Sequence, residues 1–420
     1  MPNNPMTTAQ ALHLEQTHGA QNYHPIPVVI SRAHGCSVWD PEGREYLDFL
    51  SAYSAVNQGH THPRLVKVIT EQASTLTLTS RAFYNDKLGV YCETMCRIFG
   101  YDRLLPMNTG VEAAETSVKL ARRWAYEVKG VEADRAEVIF PEGNFWGRSL
   151  GAISASSDPE SRGGFGPFVP GMRQVPYNDL QALEEALQNP RVAAFMVEPI
   201  QGEAGVVLPD PGYLQGVRQL CTRYQVLMIA DEIQTGLGRT GALLACDHEG
   251  VRPDLLVLAK ALGGGMLPVS AVLGSDEVML RIRPGQHGST FGGNPLACAV
   301  AMEAVQIILD EDLATHAANR GEQLHRGLME LVTAFPVLQA TRGKGLLRAL
   351  VFGDEGSETA WNFCMLLKDH GLLAKPTHGH IVRLAPPLVI NEQQTQQAIE
   401  ILAKCLSQLP IQGLGMQIQG

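Results

Sequence analysis

The strongest constraint in this 420-residue chain is a set of short, almost wholly apolar segments set between stretches of helical periodicity. The apolar segments are RLLPMN (103–108), EVIF (137–140), AAFMVEP (193–199), VLMIADE (226–232), DLLVLAK (254–260) and VSAVLG (269–274). A strand covered on both faces reads as a continuous apolar run, whereas a half-exposed strand alternates. Helical stretches at 64–76, 85–98, 110–128, 178–188 and 212–224 alternate with these segments. The pattern predicts an α/β fold whose large domain has a mainly parallel sheet covered by helices. From about residue 295 the pattern changes to helices over 295–310 and 315–334, strands near 345–352 and 381–384, and a last helix over 392–408. That describes a smaller α+β C-terminal domain. Val38 to Phe49 turns about Pro41-Glu42-Gly43 and reads as a hairpin, while residues 1–20 read as a loose arm or short helix. The expected division is an N-terminal segment with the hairpin (1–50), a large domain (51–294), a small domain (295–408) and a disordered tail (409–420).

Composition narrows the function classes. With 45% hydrophobic and 18% charged residues, the chain is neither disordered nor a coiled coil. A net charge of −10 argues against a nucleic-acid partner or an anionic membrane surface. No apolar run approaches the ~18 residues of a spanning helix, so no membrane segment is expected. The eight cysteines are scattered, which points to a reducing compartment. Cys92 and Cys96 have the spacing of half a zinc site, but no second ligand pair follows, and two core thiols on one helix face is the better reading. The N-terminus has neither a basic nor an apolar targeting region, so a cytoplasmic protein is expected.

Polar residues gather at the C-terminal ends of the strand candidates: Asn108, Asn144, Glu198, Asp231, Glu232 and Lys260. In an open α/β sheet ligands bind just beyond those ends. A lysine there loses hydration, which disfavours its ammonium form and frees an amine nucleophile. Lys260 can equally snorkel to water. Asp231, 29 positions earlier, closes a buried strand and needs a cationic or hydrogen-bonding partner; it can equally cap nearby amides. Thr109-Gly110-Val111 opens a helix directly after a strand, where free N–H groups favour phosphate, or simply form an ordinary capped helix. Together, a reactive lysine, a carboxylate and a phosphate-binding helix end are what pyridoxal 5′-phosphate requires. Gly236-Leu237-Gly238-Arg239-Thr240-Gly241 matches the dinucleotide pattern G-x-G-x-x-G, but ALLACDHEG after it is a poor helix opening, so dinucleotide binding is set aside. The pairs His60/His62 and His378/His380 lack a third ligand and read as loop histidines.

The strings NTGVEAAETSVKLARRW (108–124), ADEIQTGLGRTG (230–241), LAKALGGG (258–265) and HGSTFGGNPLACAVA (287–301) resemble the class-III, fold-type I pyridoxal-phosphate-dependent aminotransferases. NYHPIPVV (22–29), SAYSAVNQGHTHP (51–63), GNFWGRS (143–149), VEPIQGEAGVV (197–207) and VRLAPPLVI (382–390) are similar to the branch that acts on ornithine. The likeness runs from about residue 13 to 405. It implies that Lys260 carries the cofactor and shuttles the proton, Asp231 pairs with the pyridine nitrogen, and Gln234 bonds the ring hydroxyl. It also implies that Phe145 stacks on the ring, that Gly110 and Val111 offer N–H groups to the phosphate, and that Thr290 reaches the phosphate of a neighbouring subunit in a homodimer or higher oligomer. For the substrates, Arg148 would take the α-carboxylate of L-ornithine, Tyr23 its α-amine, and Tyr53 would shape the pocket. Arg383 would bind the α-carboxylate of 2-oxoglutarate or glutamate, and Glu203 would cover Arg383 during the ornithine half. Phe291 departs from the aromatic hydroxyl common in the family. The rival readings are a transaminase for N-acetylornithine or 4-aminobutyrate, an aminomutase, and a non-catalytic module on the same fold.

Overall fold

The computed structural model describes residues 6–353 and 358–409. Its largest sheet has seven strands in the order Arg103–Met107, Ser270–Gly274, Leu255–Leu258, Leu227–Asp231, Val192–Val197, Glu137–Pro141 and Met172–Val175. Neighbours run parallel except Ser270–Gly274, which is antiparallel to both its partners. The central strands are buried throughout, which is why they read as continuous apolar runs.

Successive residues of one strand serve opposite layers. Leu227 and Ile229 pack with Ala113, Val118 and Ala121 of the helix Gly110–Trp124. Met228 and Ala230 pack on the other side with Leu183, Leu187, Leu214 and Val217, from the helices Leu180–Leu187 and Tyr213–Arg223.

A second, antiparallel sheet is ordered Leu338–Lys344, Leu347–Phe352, Ile381–Leu384 and Lys375–Thr377. The hairpin Ser37–Trp39/Glu45–Asp48 forms a third sheet, to which Leu372–Leu373 adds a parallel strand from the far end of the chain. The helices Pro295–Asp310, Leu313–Ala334, Thr359–Asp369 and Glu392–Gln408 complete the smaller α+β part.

Several elements depart from the expectation. The strands Met172–Val175, Leu338–Lys344 and Lys375–Thr377 are edge strands with half-exposed side chains, so they lack an apolar run. The helix Thr359–Asp369 lies beyond the expected elements. The helix expected from 85 begins at Leu88, because the Asn85 side-chain oxygen accepts the N–H groups of Lys87 and Leu88. The strand expected over 254–260 ends at Leu258; Lys260 stands at φ +47° and opens a 3-10 turn. The proposed tail lies outside the described residues apart from Leu409. Among the described residues, no helix is long and apolar enough to cross a membrane.

The glycine-rich loop Gly236–Gly241 has a structural task. Arg239 within it is fully buried and donates to the carbonyls of Leu346 and Pro386, to Ser51 Oγ and to Asn57 Oδ1. Burial pushes its guanidinium down to about 9, against the attraction of Asp48. One buried cation thus ties the loop after Leu227–Asp231 to the N-terminal segment and to the small sheet.

Candidate active site

A cavity of about 250 Å³ opens beyond the C-terminal ends of the parallel strands, lined by Gly110, Val111, Phe145, Glu198, Glu203, Asp231, Gln234 and Lys260 among others. A second, more open groove of about 530 Å³ meets it at Gly110 and Lys260. The strands Leu227–Asp231 and Leu255–Leu258 are adjacent and parallel, so Asp231 and the residue pair Ala259-Lys260 emerge side by side. The helix Gly110–Trp124 points its N-terminus at the same place, held by Glu112, whose carboxylate accepts the N–H groups of Thr109 at 2.7 Å and Asn108 at 3.1 Å. Close packing demands glycine at 147, where a Cβ would lie 2.4 Å from Val111 Cγ2.

Charge is concentrated here. Burial lowers the pKa of Lys260, opposed by the carboxylates of Glu203 and Asp231. Burial lifts Asp231 to about 6. Its Oδ1 accepts the N–H of Ile233 at 3.0 Å, while its buried Oδ2 has no hydrogen-bond partner. An orphaned buried carboxylate oxygen is a vacant acceptor of the sort that awaits a donor. Gln234 donates to Glu203 Oε1 at 3.2 Å and accepts from Arg383 Nη1 at 3.3 Å.

Arg383, on the strand Ile381–Leu384, is 3% exposed and donates to Glu203 Oε1 at 2.9 Å. Burial alone would raise the Glu203 carboxyl; the charges of Arg383 and Lys260 outweigh it and hold the group below the usual carboxylate range. The Arg383 guanidinium also lies 4.9 Å from the ring centre of Tyr53. Tyr53 is delivered by a left-handed turn, in which Ser51, Ala52, Tyr53 and Ser54 all have φ between 44° and 70°. Such a turn costs about 1–2 kcal/mol per residue for L-amino acids. Asp48 holds its start through the N–H groups of Leu50 and Ser51, and Ser51 Oγ donates to the Ala385 carbonyl at 2.6 Å.

Of the residues singled out from the sequence, Gly110, Val111, Phe145, Glu203, Asp231, Gln234 and Lys260 line the cavity, and Arg383 and Tyr53 adjoin it through Glu203 and Gln234. Arg148 is outside the lining; its guanidinium is exposed, 5.4 Å from the Phe145 ring centre and 4.0 Å from Asp158. Tyr23 is 71% exposed, and Thr290 is exposed on the 283–293 loop, neither lining the cavity.

In the sequence Glu198 has a place at a strand end but no task. It is buried between Phe145 and Gly202, accepting the N–H of Phe145 at 2.9 Å and that of Gly202 at 3.4 Å. Burial and then Asp231 push it up to about 8. Its position after a buried strand was the available signal. Cys92 and Cys96 both lie on the helix Leu88–Phe99, and all eight cysteines are free.

The donor set fits a group with an amine-reactive carbonyl, a ring nitrogen and an anionic tail. Lys260 faces the first, the unpartnered Asp231 Oδ2 suits the second, and the helix end at Gly110 suits the third. A profile of the family "Aminotransferase class-III" matches residues 18–406. The chain belongs to the class-III aminotransferases. Rat (Rattus norvegicus) "Ornithine aminotransferase, mitochondrial" is 58% identical over 402 residues, covering 96% of this chain and 91% of the relative. The solved ornithine aminotransferase of Toxoplasma gondii ME49 superposes with a TM-score of 0.94 at 48% identity, covering 96% of this chain and 95% of that one. Acetylornithine aminotransferase from Elizabethkingia anophelis superposes with a TM-score of 0.88 at 51% identity, covering 96% of this chain and 99% of that one.

Proposed function

We propose that the chain is a pyridoxal 5′-phosphate-dependent ornithine δ-aminotransferase. It moves the δ-amine of L-ornithine to 2-oxoglutarate in two alternating half-reactions, giving glutamate 5-semialdehyde, which cyclises to pyrroline-5-carboxylate, and glutamate. The observation that carries this reading is the Arg383–Glu203 pair beside Lys260. A transaminase of this kind must accept a diamino acid by its far end and a dicarboxylic acid by its near end in one cavity. Glu203 neutralises Arg383 while the terminal amine of ornithine approaches, and the carboxylate of the diacid replaces Glu203 in the other half.

When bound, pyridoxal 5′-phosphate supplies a carbonyl that takes up the amine and a protonated ring that draws electrons from the adjacent C–H bond. The chain supplies the rest. Lys260 Nζ holds the cofactor and then moves the proton at the amine-bearing carbon as base and acid. Asp231 Oδ2 keeps the ring nitrogen protonated, Gln234 bonds the ring hydroxyl, and Phe145 covers the ring face. The N–H groups of Gly110 and Val111 receive the phosphate. Arg148, exposed beside Phe145, and Tyr23, exposed beside Lys375, take the carboxylate and amine of ornithine's amino-acid head, and Tyr53 narrows the pocket over Arg383.

A homodimer is part of this reading. Thr290 sits on an exposed loop, consistent with service to a neighbouring subunit's phosphate. Phe291 on the same loop is exposed, as are Phe83 and Tyr84 just before Asn85, whose side chain donates to the Gly293 carbonyl, and these rings offer an apolar surface to a second copy. The eight free thiols support a reducing compartment, the cytoplasm in our reading.

The likeness to an acetylornithine aminotransferase gives a second reading, in which the donor carries an acetylated α-amine. Single half-reactions with ornithine, N-acetylornithine and 4-aminobutyrate, followed by the cofactor's absorbance, separate the two. Ornithine should react fastest; a faster reaction with N-acetylornithine would overturn the choice of donor.

A further inference from the structure

Lys375 lies on the edge strand Lys375–Thr377 and is the direct cross-strand partner of Arg383. Residues opposite one another in an antiparallel pair project to the same face, with Cβ atoms about 4.5–5.5 Å apart, and like charges so placed repel. Two cations therefore stand side by side where Arg383 meets Glu203. The Glu203 carboxylate, whose charge also acts on Lys375, is paired with Arg383 at 2.9 Å. No described carboxylate lies within 4.0 Å of the Lys375 ammonium. That ammonium is half-buried, 5.6 Å from the ring centre of Tyr23. Burial lowers its pKa, while Glu203 pulls the other way.

The segment that carries Lys375 also grips the backbone of Glu203. Thr377 Oγ1 donates to the Glu203 carbonyl at 3.1 Å, and His378 Nε2 approaches the same oxygen at 2.9 Å. The Glu203 backbone is thus tied to the segment that carries Lys375, and a change of partner asks only its side chain to move.

The charge exchange described above leaves a question of where Glu203 goes. Once a substrate carboxylate occupies Arg383, an unpaired Glu203 beside it would repel it. We propose that Lys375 is the second docking point of Glu203, a positioning residue that receives the carboxylate while Arg383 holds the dicarboxylic substrate. This rests on the Arg383–Glu203 exchange of the preceding section. The two pairings form a two-state element biased by whichever substrate is bound. A partly exposed ion pair corresponds to a bias of roughly fivefold.

The test uses the holoenzyme and single half-reactions with glutamate and with ornithine, read by cofactor absorbance, for the parent, Lys375→Met, Lys375→Arg, Glu203→Ala and the double variant Glu203→Ala/Lys375→Met. Lys375→Met should weaken apparent glutamate affinity roughly fivefold relative to ornithine. Lys375→Arg should restore it, and Lys375→Met should add nothing in the Glu203→Ala background. Equal effects of Lys375→Met on both half-reactions, no effect on either, or a glutamate defect of full size without Glu203, would overturn the role of Lys375 alone. If Glu203→Ala left the ratio of the half-reactions unchanged, the exchange itself would fall, and this role with it.

Discussion

Asp231→Asn should make the cofactor-free protein more stable at alkaline pH while weakening its hold on the cofactor. Asp231 is 4% exposed, and its Oδ2 has no partner. Burial raises its pKa from 3.8 to about 6. At about 1.4 kcal/mol per tenfold in proton affinity, keeping it ionised costs the folded protein about 3 kcal/mol. The sign follows from proton linkage. Between about pH 4 and pH 6 the folded carboxyl binds more protons than the unfolded one, so stability falls as pH rises through that window and stays low above it. Asparagine has the same shape, can still accept the N–H of Ile233, and never ionises. Urea unfolding of cofactor-stripped protein at pH 8 should therefore favour the variant by about 2–3 kcal/mol, with the gap closing near pH 4. Adding pyridoxal 5′-phosphate should reverse the order, because the carboxylate then has a cationic partner that the amide cannot match. A stripped variant no more stable than the parent at pH 8, or one whose advantage is the same at pH 4, would refute a buried, ionised Asp231 as the source of the difference.

Lys260→Ala should lose the absorbance of covalently held cofactor and slow transamination by at least about 10²–10⁴-fold; an unchanged spectrum would remove this lysine from its role. Glu203→Ala should uncover Arg383 and shift the ratio of half-reactions about tenfold towards glutamate, measured by stopped-flow absorbance, with an equal change in both counting against the exchange. Gly202→Ala would set a Cβ 1.5 Å from Gln234 Oε1. Gln234 must then abandon both Glu203 and Arg383; two lost hydrogen bonds at about 1 kcal/mol each predict a loss of about 2 kcal/mol in urea unfolding, and the displaced amide should lower kcat/KM by about tenfold. Unaltered kinetics would show that Gln234 does not act in the site.

The legible part of the fold was local. Continuous apolar runs such as 192–197 and 227–231 announce strands covered on both faces, because each residue's neighbours already specify the layer it must bury against. Lys260 and Asp231 were legible for the same reason, since a polar group ending an apolar run must sit at the sheet's C-terminal edge. Edge strands such as Lys375–Thr377 were not, because a half-solvated strand need not be apolar and carries no periodic signature. Glu198 had a position but no partners until Phe145 and Gly202 closed around it.

The amino-acid order by itself thus determined the layers, the helix end at Gly110, and the lysine and aspartate that face it. The likeness already paired Glu203 with Arg383; the tertiary structure alone decided that Arg383 reaches it from the small sheet, that Arg239 is buried under the segment 51–57, and that a left-handed turn carries Tyr53 over Arg383. Periodicity is set by residues a few positions apart, whereas a charge pair 180 positions apart exists only after the large and small sheets have closed on one another.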